Sequence, residues 1–263
     1  MDLGLEGKVA LVAGASKGLG RAVAFGLARE GVSLAIGARG KDQLDTTAGA
    51  IVEETGVEVL ARPTDVSKPE EASLFVRETV SHFGKLNILI NNAGGPPSAN
   101  FLELTNDHWR EAVQLNLLSS IWLSREAVPY MQQQRWGRII NMTSVAVKQP
   151  IDGLMLSNAV RAGVIGFAKT LANELARDNI LVNNVCPGYM LTDRVRELSK
   201  VLAEKRKESP EAVMRTWEEN IPLKRLGRPE EFADLVVFLA SERASYVTGA
   251  TIQIDGGYCR GLL

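Results

Sequence analysis

A chain of 263 residues, 45% of them hydrophobic, can bury a sizeable core and falls within the range of one α/β domain. Its 30 Lys and Arg against 31 Asp and Glu leave a net charge of −1, which excludes the strong basic character of a general nucleic-acid or membrane-surface binder. Two cysteines, Cys186 and Cys259, are too few for a disulfide framework, and no apolar run is long enough to cross a bilayer.

Met1 leads through a short acidic segment, without the basic start and cleavage site of a signal peptide, so a cytoplasmic location is the expectation. Val9 to Ala13 then reads as a buried strand. Gly14, Gly18 and Gly20 punctuate a turn, and Leu19, Val23 and Leu27 recur at helical spacing until Gly31 stops the helix. A strand that enters a helix through such a turn aims backbone N–H groups and the positive helix end at one point, which suits nucleotide phosphates. The glycines let the backbone approach closely. A glycine pattern by itself also fits an ordinary strand-to-helix turn, so the later elements decide between the two.

Ser33 to Ala38 reads as the second strand, and Lys41 to Thr55 as a polar helix with Leu44 and Ile51 on one face. Val57 to Pro63 is the third strand, ended by Asp65, and Pro69 opens a helix running to about Phe83. Leu86 to Asn91 is the fourth strand. Asn106 to Gln134 reads as one long helix, with Trp109, Val113 and Leu117 at spacing four. Gly137 to Asn141 is the fifth strand. Asn158 to Arg177 is the clearest helix, lined by Val160, Val164, Phe167, Leu171 and Leu175. Ile180 to Val185 is the sixth strand. Thr192 to Asn220 is charged and inserted between sheet elements, which suits a helical cover over a site. Pro229 to Ser241 is a last helix and Thr251 to Ile254 a last strand. Alternation of this kind predicts a Rossmann-type, doubly wound parallel α/β sheet of seven strands, one domain over residues 1–263, with ligands outside the carboxyl ends of the strands. Cys186, in an apolar run, reads as core. His82 and His108 lie in polar helical surroundings without metal-ligand spacing, so no metal site is expected.

Seven motifs in this order resemble the short-chain dehydrogenase/reductase family over nearly the whole chain. Gly14-Ala15-Ser16-Lys17-Gly18-Leu19-Gly20 is similar to its glycine-rich cofactor loop, and Asp65-Val66 to its adenine-binding acidic position. Asn91-Asn92-Ala93-Gly94 resembles its strand-four signature, Asn116 its structural and catalytic asparagine, and Ser144 its catalytic serine. Pro187-Gly188 with Thr192 resembles the loop holding the nicotinamide carboxamide, and Asp255-Gly256-Gly257 the C-terminal signature. The resemblance implies a nicotinamide-dependent oxidoreductase acting on a small molecule. It also implies a homotetramer or homodimer built through the two long helices.

Charge separates the two cofactors. NADP carries a 2′-phosphate where NAD has a hydroxyl, and an acid after strand two would repel it. Strand two here ends Gly37-Ala38-Arg39, with Lys17 in the glycine loop, and two cations can pair with that phosphate. NADP(H) is favoured, with NAD(H) the alternative.

The catalytic pair departs from the family pattern. Its tyrosine lies thirteen residues after the serine and its lysine four further, which gives Ser157 and Arg161 here. The following Ala162-Gly163-Val164-Ile165-Gly166-Phe167 fixes that register. A serine hydroxyl is a weaker acid than a tyrosine by about three pKa units, roughly 4 kcal/mol of driving force, and it is shorter by a ring. Arg161 keeps the charge and can hold ribose hydroxyls but stays protonated, so it makes a poor proton relay. Three readings stay open: a reductase whose proton comes from water or another side chain, Tyr189 beside Pro187-Gly188 being one candidate; reduction of a conjugated enone or dienone that needs little acid help; or an NADP(H)-binding protein without turnover. In the first, Ser144 would bond the substrate oxygen and Arg161 would stabilise its charge. Family members with a similar Ser-Asn-x-x-Arg replacement resemble 3-oxoacyl-carrier-protein reductases, which favours the enzyme readings. Lys148 and Asp152, on the loop after Ser144, read better as solvent-facing than as substrate-facing, while Asn158 reads equally well as a pocket group or a helix-start residue.

Overall fold

Every residue of strand β1 (Val9–Ala13) is buried, because the strand is covered on both faces. Ala10 and Val12 pack into one apolar cluster and Leu11 and Ala13 into the other, following the two-residue period of a strand. The computed structural model describes residues 1–262, the side chain of Lys205 excepted. Around β1 runs a parallel seven-stranded sheet in the order β3-β2-β1-β4-β5-β6-β7, with β2 Ser33–Ala38, β3 Val59–Pro63, β4 Ile88–Asn91, β5 Gly137–Met142, β6 Ile180–Pro187 and β7 Thr251–Ile254. The strand order reverses between β1 and β4, the point at which such sheets open a crevice at their carboxyl ends.

One face carries α1 (Gly18–Arg29), α2 (Lys41–Thr55) and α9 (Pro229–Ala240), whose Val23, Leu27, Leu44, Ile51, Phe232 and Val236 share a cluster with β1. The other carries α3 (Pro69–Phe83), α5 (Ser119–Gln134) and α6 (Met155–Leu175) through Phe75, Leu123, Met131 and Ala168. Between β6 and α9 stand α7 (Asp193–Arg206) and α8 (Pro210–Asn220), with a small core of their own around Ala203, Val213, Trp217 and Leu226. Among the described residues no helix is long and apolar enough to cross a membrane.

A polar ladder crosses this sheet inside the core. Asn91 Nδ2 donates to Asn141 Oδ1 at 2.8 Å, Asn141 Nδ2 to Asn184 Oδ1 at 3.0 Å, and Asn184 Nδ2 to Thr251 Oγ1 at 3.1 Å. These residues are cross-strand partners along β4, β5, β6 and β7, so parallel register alone aligns them. Asn141 stands mid-chain, and its removal leaves two buried amides short of a partner. Asn141→Ala is therefore expected to lower the unfolding free energy by about 3 kcal/mol in denaturant titration, where an exposed Asn would cost a few tenths.

The long helix expected over Asn106 to Gln134 is interrupted. α4 (Asn106–Val113) passes into a single π-helical turn, Gln114–Leu118, before α5 begins. The wider turn swings Asn116 into the interior, where it is buried. The helix expected from Asn158 begins earlier, at Met155, and ends in a 3₁₀ turn over Ala176–Asp178. Asn158 thus lies inside the first turn, and its amide clasps both the N–H and the carbonyl of Ile151 rather than capping the helix. The histidines serve locally: His82 pairs with Glu58 at 2.7 Å, and His108 closes a capping box with Thr105 at the start of α4.

Candidate active site

The glycine loop is built for close approach. Gly14 and Gly18 take φ of +61° and +59°, which turns the chain sharply into α1. Gly20 has no such φ. Its constraint is space, since a Cβ there would lie 2.3 Å from the Gly14 carbonyl and 2.7 Å from Asn92 Nδ2. Asn92 in turn donates to the carbonyls of Ala13 and Gly14, both at 3.1 Å, tying the end of β4 to the loop. Helix α1 starts without a side-chain cap and without an acid in its first turn. Its free N–H groups and positive end are left for an anion. Lys17 and Arg39 are exposed and Ser16 half-buried, with the Ser16 carbonyl accepting from Thr47. Leu19 packs against the core under the loop.

Asp65 closes β3 beside Arg39, with Val66 buried behind it. Burial alone would raise the Asp65 carboxyl, but the hydroxyl and N–H of Ser67, with Arg39 and Lys68, hold it below its usual value. On the other side of the crevice the Gly188 N–H bonds to the carbonyl of Ile254, which fixes the Pro187-Gly188 turn. Thr192 faces the glycine loop, its methyl 3.8 Å from where a Gly18 Cβ would stand. The loop after β1 and the loop after β6 therefore converge, as their motifs led one to expect. A cleft bounded by Gly18, Arg21, Arg29, Thr192 and Glu230 opens on this phosphate side, and no residue of the reacting end lines it.

The residues expected at the reacting end gather about the carboxyl end of β5. Ser144 Oγ accepts from the Ala146 N–H at 3.1 Å and is half-buried. Arg161 is buried, and its Nη1 donates to the carbonyls of Met142 at 3.0 Å and Thr143 at 3.2 Å, next to Ser144 in the chain. Burial pushes the guanidinium down to about 10, so it is still charged at neutral pH. Ser157 is buried one helical turn before Arg161 on the same face of α6. Asn116 Nδ2 donates to the Gly94 carbonyl at 2.8 Å, which positions the Asn92-Ala93-Gly94 segment, while its Oδ1 is buried without a partner.

Tyr189, the candidate proton donor, is packed among aromatic rings. Its ring stacks on Trp217 at 4.8 Å between centroids and meets Tyr258 edge-on at 5.3 Å. Burial, reinforced by Tyr258, pushes the phenol well above its usual value. Cys186 is core, as expected, with its sulfur 3.1 Å from Thr143 Oγ1. Among the described residues no cluster of His, Cys, Asp and Glu has the arrangement of a metal site. One contact had no sequence signal: Arg194, in the first turn of α7, donates from Nη2 to the Pro96 carbonyl at 3.1 Å, joining α7 to the loop after β4. It sits in a charged segment where nothing marks one arginine from the next.

Residues 14–259 match the family model described as enoyl-(acyl carrier protein) reductase. The chain is 36% identical over 257 residues to the 3-oxoacyl-[acyl-carrier-protein] reductase FabG of Aquifex aeolicus, covering 98% of this chain and 99% of that one. The fold superimposes on L-sorbose reductase from Gluconobacter frateurii, solved with NADPH and L-sorbose, with a TM-score of 0.95, 36% identity and complete coverage (100%) of both chains. It also matches a short-chain type dehydrogenase/reductase from Mycobacterium marinum with a TM-score of 0.89 and 32% identity, over 99% of this chain and 98% of that one. The chain belongs to the short-chain dehydrogenase/reductase family. Ser157 and Arg161, the two positions singled out by the sequence register, lie one turn apart on α6, both buried, with Arg161 bonded to the carbonyls of Met142 and Thr143.

Proposed function

We propose that this protein is an NADP(H)-dependent reductase of a carbonyl or an activated alkene in a small molecule, working without a tyrosine acid. The observation that carries the reading is the uncapped start of α1 within the glycine cradle, with no acid in its first turn and the exposed cations Lys17 and Arg39 at the adenosine end. The NADPH held by the sorbose reductase supports it. The residues that would hold the cofactor are Gly14, Ser16, Lys17, Gly18, Leu19 and Gly20 at the phosphates, Arg39 at the 2′-phosphate, and Asp65 with Val66 at the adenine. Asn92, Ala93, Gly94, Arg161, Pro187, Gly188 and Thr192 would surround the nicotinamide half. When bound, the cofactor supplies a hydride.

The chain's own residues manage the charge that follows. Ser144 donates a hydrogen bond to the substrate oxygen, and Arg161, held by two carbonyls in a buried setting, stabilises negative charge there. Ser157 is too short and too weak an acid to supply the proton, which comes from water. Asn116 holds the wall of the site and supports that water. A conjugated acceptor spreads the developing charge and so lessens the demand for an acid. Helices α7 and α8 act as the cover, and a homodimer or homotetramer uses the faces of α4, α5 and α6.

The test is a panel of quinones, diketones and oxoacyl thioesters followed at the nicotinamide absorbance. At least one member should oxidise NADPH, with NADH the poorer donor. Arg39→Ala should weaken NADPH binding by about 10-fold, roughly 1.4 kcal/mol, and leave NADH unchanged, because only the former carries the phosphate. Tight NADPH binding without turnover on the whole panel would contradict the reading and favour a silent binding protein.

A further inference from the structure

A second hollow lies apart from the phosphate cleft, and its walls come from segments that flank the reacting end. One wall is Ile151 and Leu154, on the stretch leading into α6, with Leu154 one turn ahead of Ser157. The other is Tyr189, directly after Pro187-Gly188, with Leu198 and Leu202 of α7 and Trp217 of α8. Both walls are held from behind. The Asn158 amide clasps Ile151, and Leu154 bridges to Ala99 on the loop after β4. Trp217 is 7% exposed, stacks on Tyr189 and belongs to the small core shared by α7 and α8. The hollow is therefore preformed. Its cavity of about 80 Å³ is well below the roughly 300–1,000 Å³ that encloses a drug-sized ligand. Apolar walls at that size suit one ring or a short branched chain, and they leave the hydroxyls of a polyol without partners.

The mouth has the opposite character. Glu103 and Asp152 line it and are exposed, while among the described residues no lysine, arginine or histidine lines the hollow. Glu103 Oε2 accepts from the Asn100 N–H at 2.8 Å, which fixes that carboxylate at the rim. Among the described residues neither acid takes part in a salt bridge. Arg194 is exposed and donates to the Pro96 carbonyl instead. An incoming anion thus meets two like charges and then a wall that cannot solvate it, and both costs have the same sign.

We propose that the substrate is an uncharged ketone or enone with a compact apolar body. The body lodges between Leu154 and Trp217, and Glu103 with Asp152 turns away molecules whose body carries a carboxylate. This rests on the reductase reading and specifies its substrate class.

Calorimetric titration of the NADP⁺-saturated protein with 4-acetylbenzamide and with 4-acetylbenzoate compares two ketones that differ in charge but hardly in shape, and it needs no turnover. The amide should bind about 10-fold or more tighter, a difference of roughly 1.4 kcal/mol or more. The gap should narrow between about 0.05 M and about 0.5 M salt, because repulsion at an exposed rim is screened. Glu103→Gln with Asp152→Asn keeps an acceptor for the Asn100 N–H and removes both charges. This double variant should bring the two ligands within about threefold by strengthening the acid, with the amide held within about twofold. Equal binding by the unchanged protein, or no heat from either ligand, overturns the proposal. So does a gap that salt and the double variant both leave intact, since the two carboxylates would then have no part in selection. Failure of the reductase reading shows separately, as amide binding without NADPH oxidation by any ketone of the panel.

Discussion

Gly20→Ala should raise the NADPH dissociation constant by about 100-fold or more, equivalent to roughly 2.7 kcal/mol, with a further loss of about 1–3 kcal/mol in folding stability. The added methyl would stand 2.3 Å from the Gly14 carbonyl, closer than any van der Waals contact, and the atom it strikes is backbone. Neither side can yield cheaply. Gly14 O is held by Asn92 Nδ2, and Gly20 lies in the first turn of α1, whose far side is bound to α9 through the shared cluster. Relief requires the start of α1 to move off the loop, which carries its free N–H groups away from the anion they are placed to meet. Gly18→Ala is the useful contrast. It forces a residue with a Cβ to φ near +59° but meets nothing nearer than 3.8 Å, so it should cost about 1–2 kcal/mol of stability and less affinity. Fluorescence titration with NADPH and denaturant unfolding read the two effects apart. A Gly20→Ala protein with unchanged affinity would mean that the cradle is not the phosphate site.

Ser144→Ala carries the second large effect. In the proposed reduction, negative charge on the substrate oxygen would be met by the Ser144 hydroxyl and the buried Arg161 guanidinium. Removing a single preorganised donor of this kind costs about 10²–10³-fold in turnover. The loss should fall on kcat with NADPH affinity unchanged, because the Ser144 hydroxyl engages only the neighbouring Ala146 N–H within the chain. A loss of NADPH affinity in equal measure would instead place Ser144 in the structural support of the crevice.

The parts of this molecule that were legible in the sequence are those coded by neighbours along the chain. β1 and the glycine turn show as an apolar run followed by spaced glycines, and α6 as an apolar stripe; both lie within a few residues of where their patterns place them. The register that puts Ser157 and Arg161 in the reacting end follows from α6 in the same way. What escaped depends on partners far away in sequence. The π turn at Asn116 leaves the four-residue spacing of Trp109, Val113 and Leu117 intact, so periodicity could not reveal it; the tie to the Gly94 carbonyl is tertiary. The asparagine ladder needs strand order as well as register. Tyr189 sits next to the expected nicotinamide loop, and its contacts with Trp217 and Tyr258, from segments distant in the chain, carry no sequence signal. Arg194 is the same case in reverse: an ordinary member of a charged run until the fold sets it against Pro96.

Whether position 157 delivers the proton is decided by a single comparison of rates. With any substrate that the panel identifies, single-turnover NADPH oxidation by Ser157→Ala should stay within about threefold of the unchanged protein if, as proposed, water and not this hydroxyl completes the reduction, whereas Ser144→Ala should fall by about 10²-fold or more. Should Ser157→Ala instead lose as much as Ser144→Ala, with NADPH still bound, the short hydroxyl would be the acid after all and the central claim would be wrong.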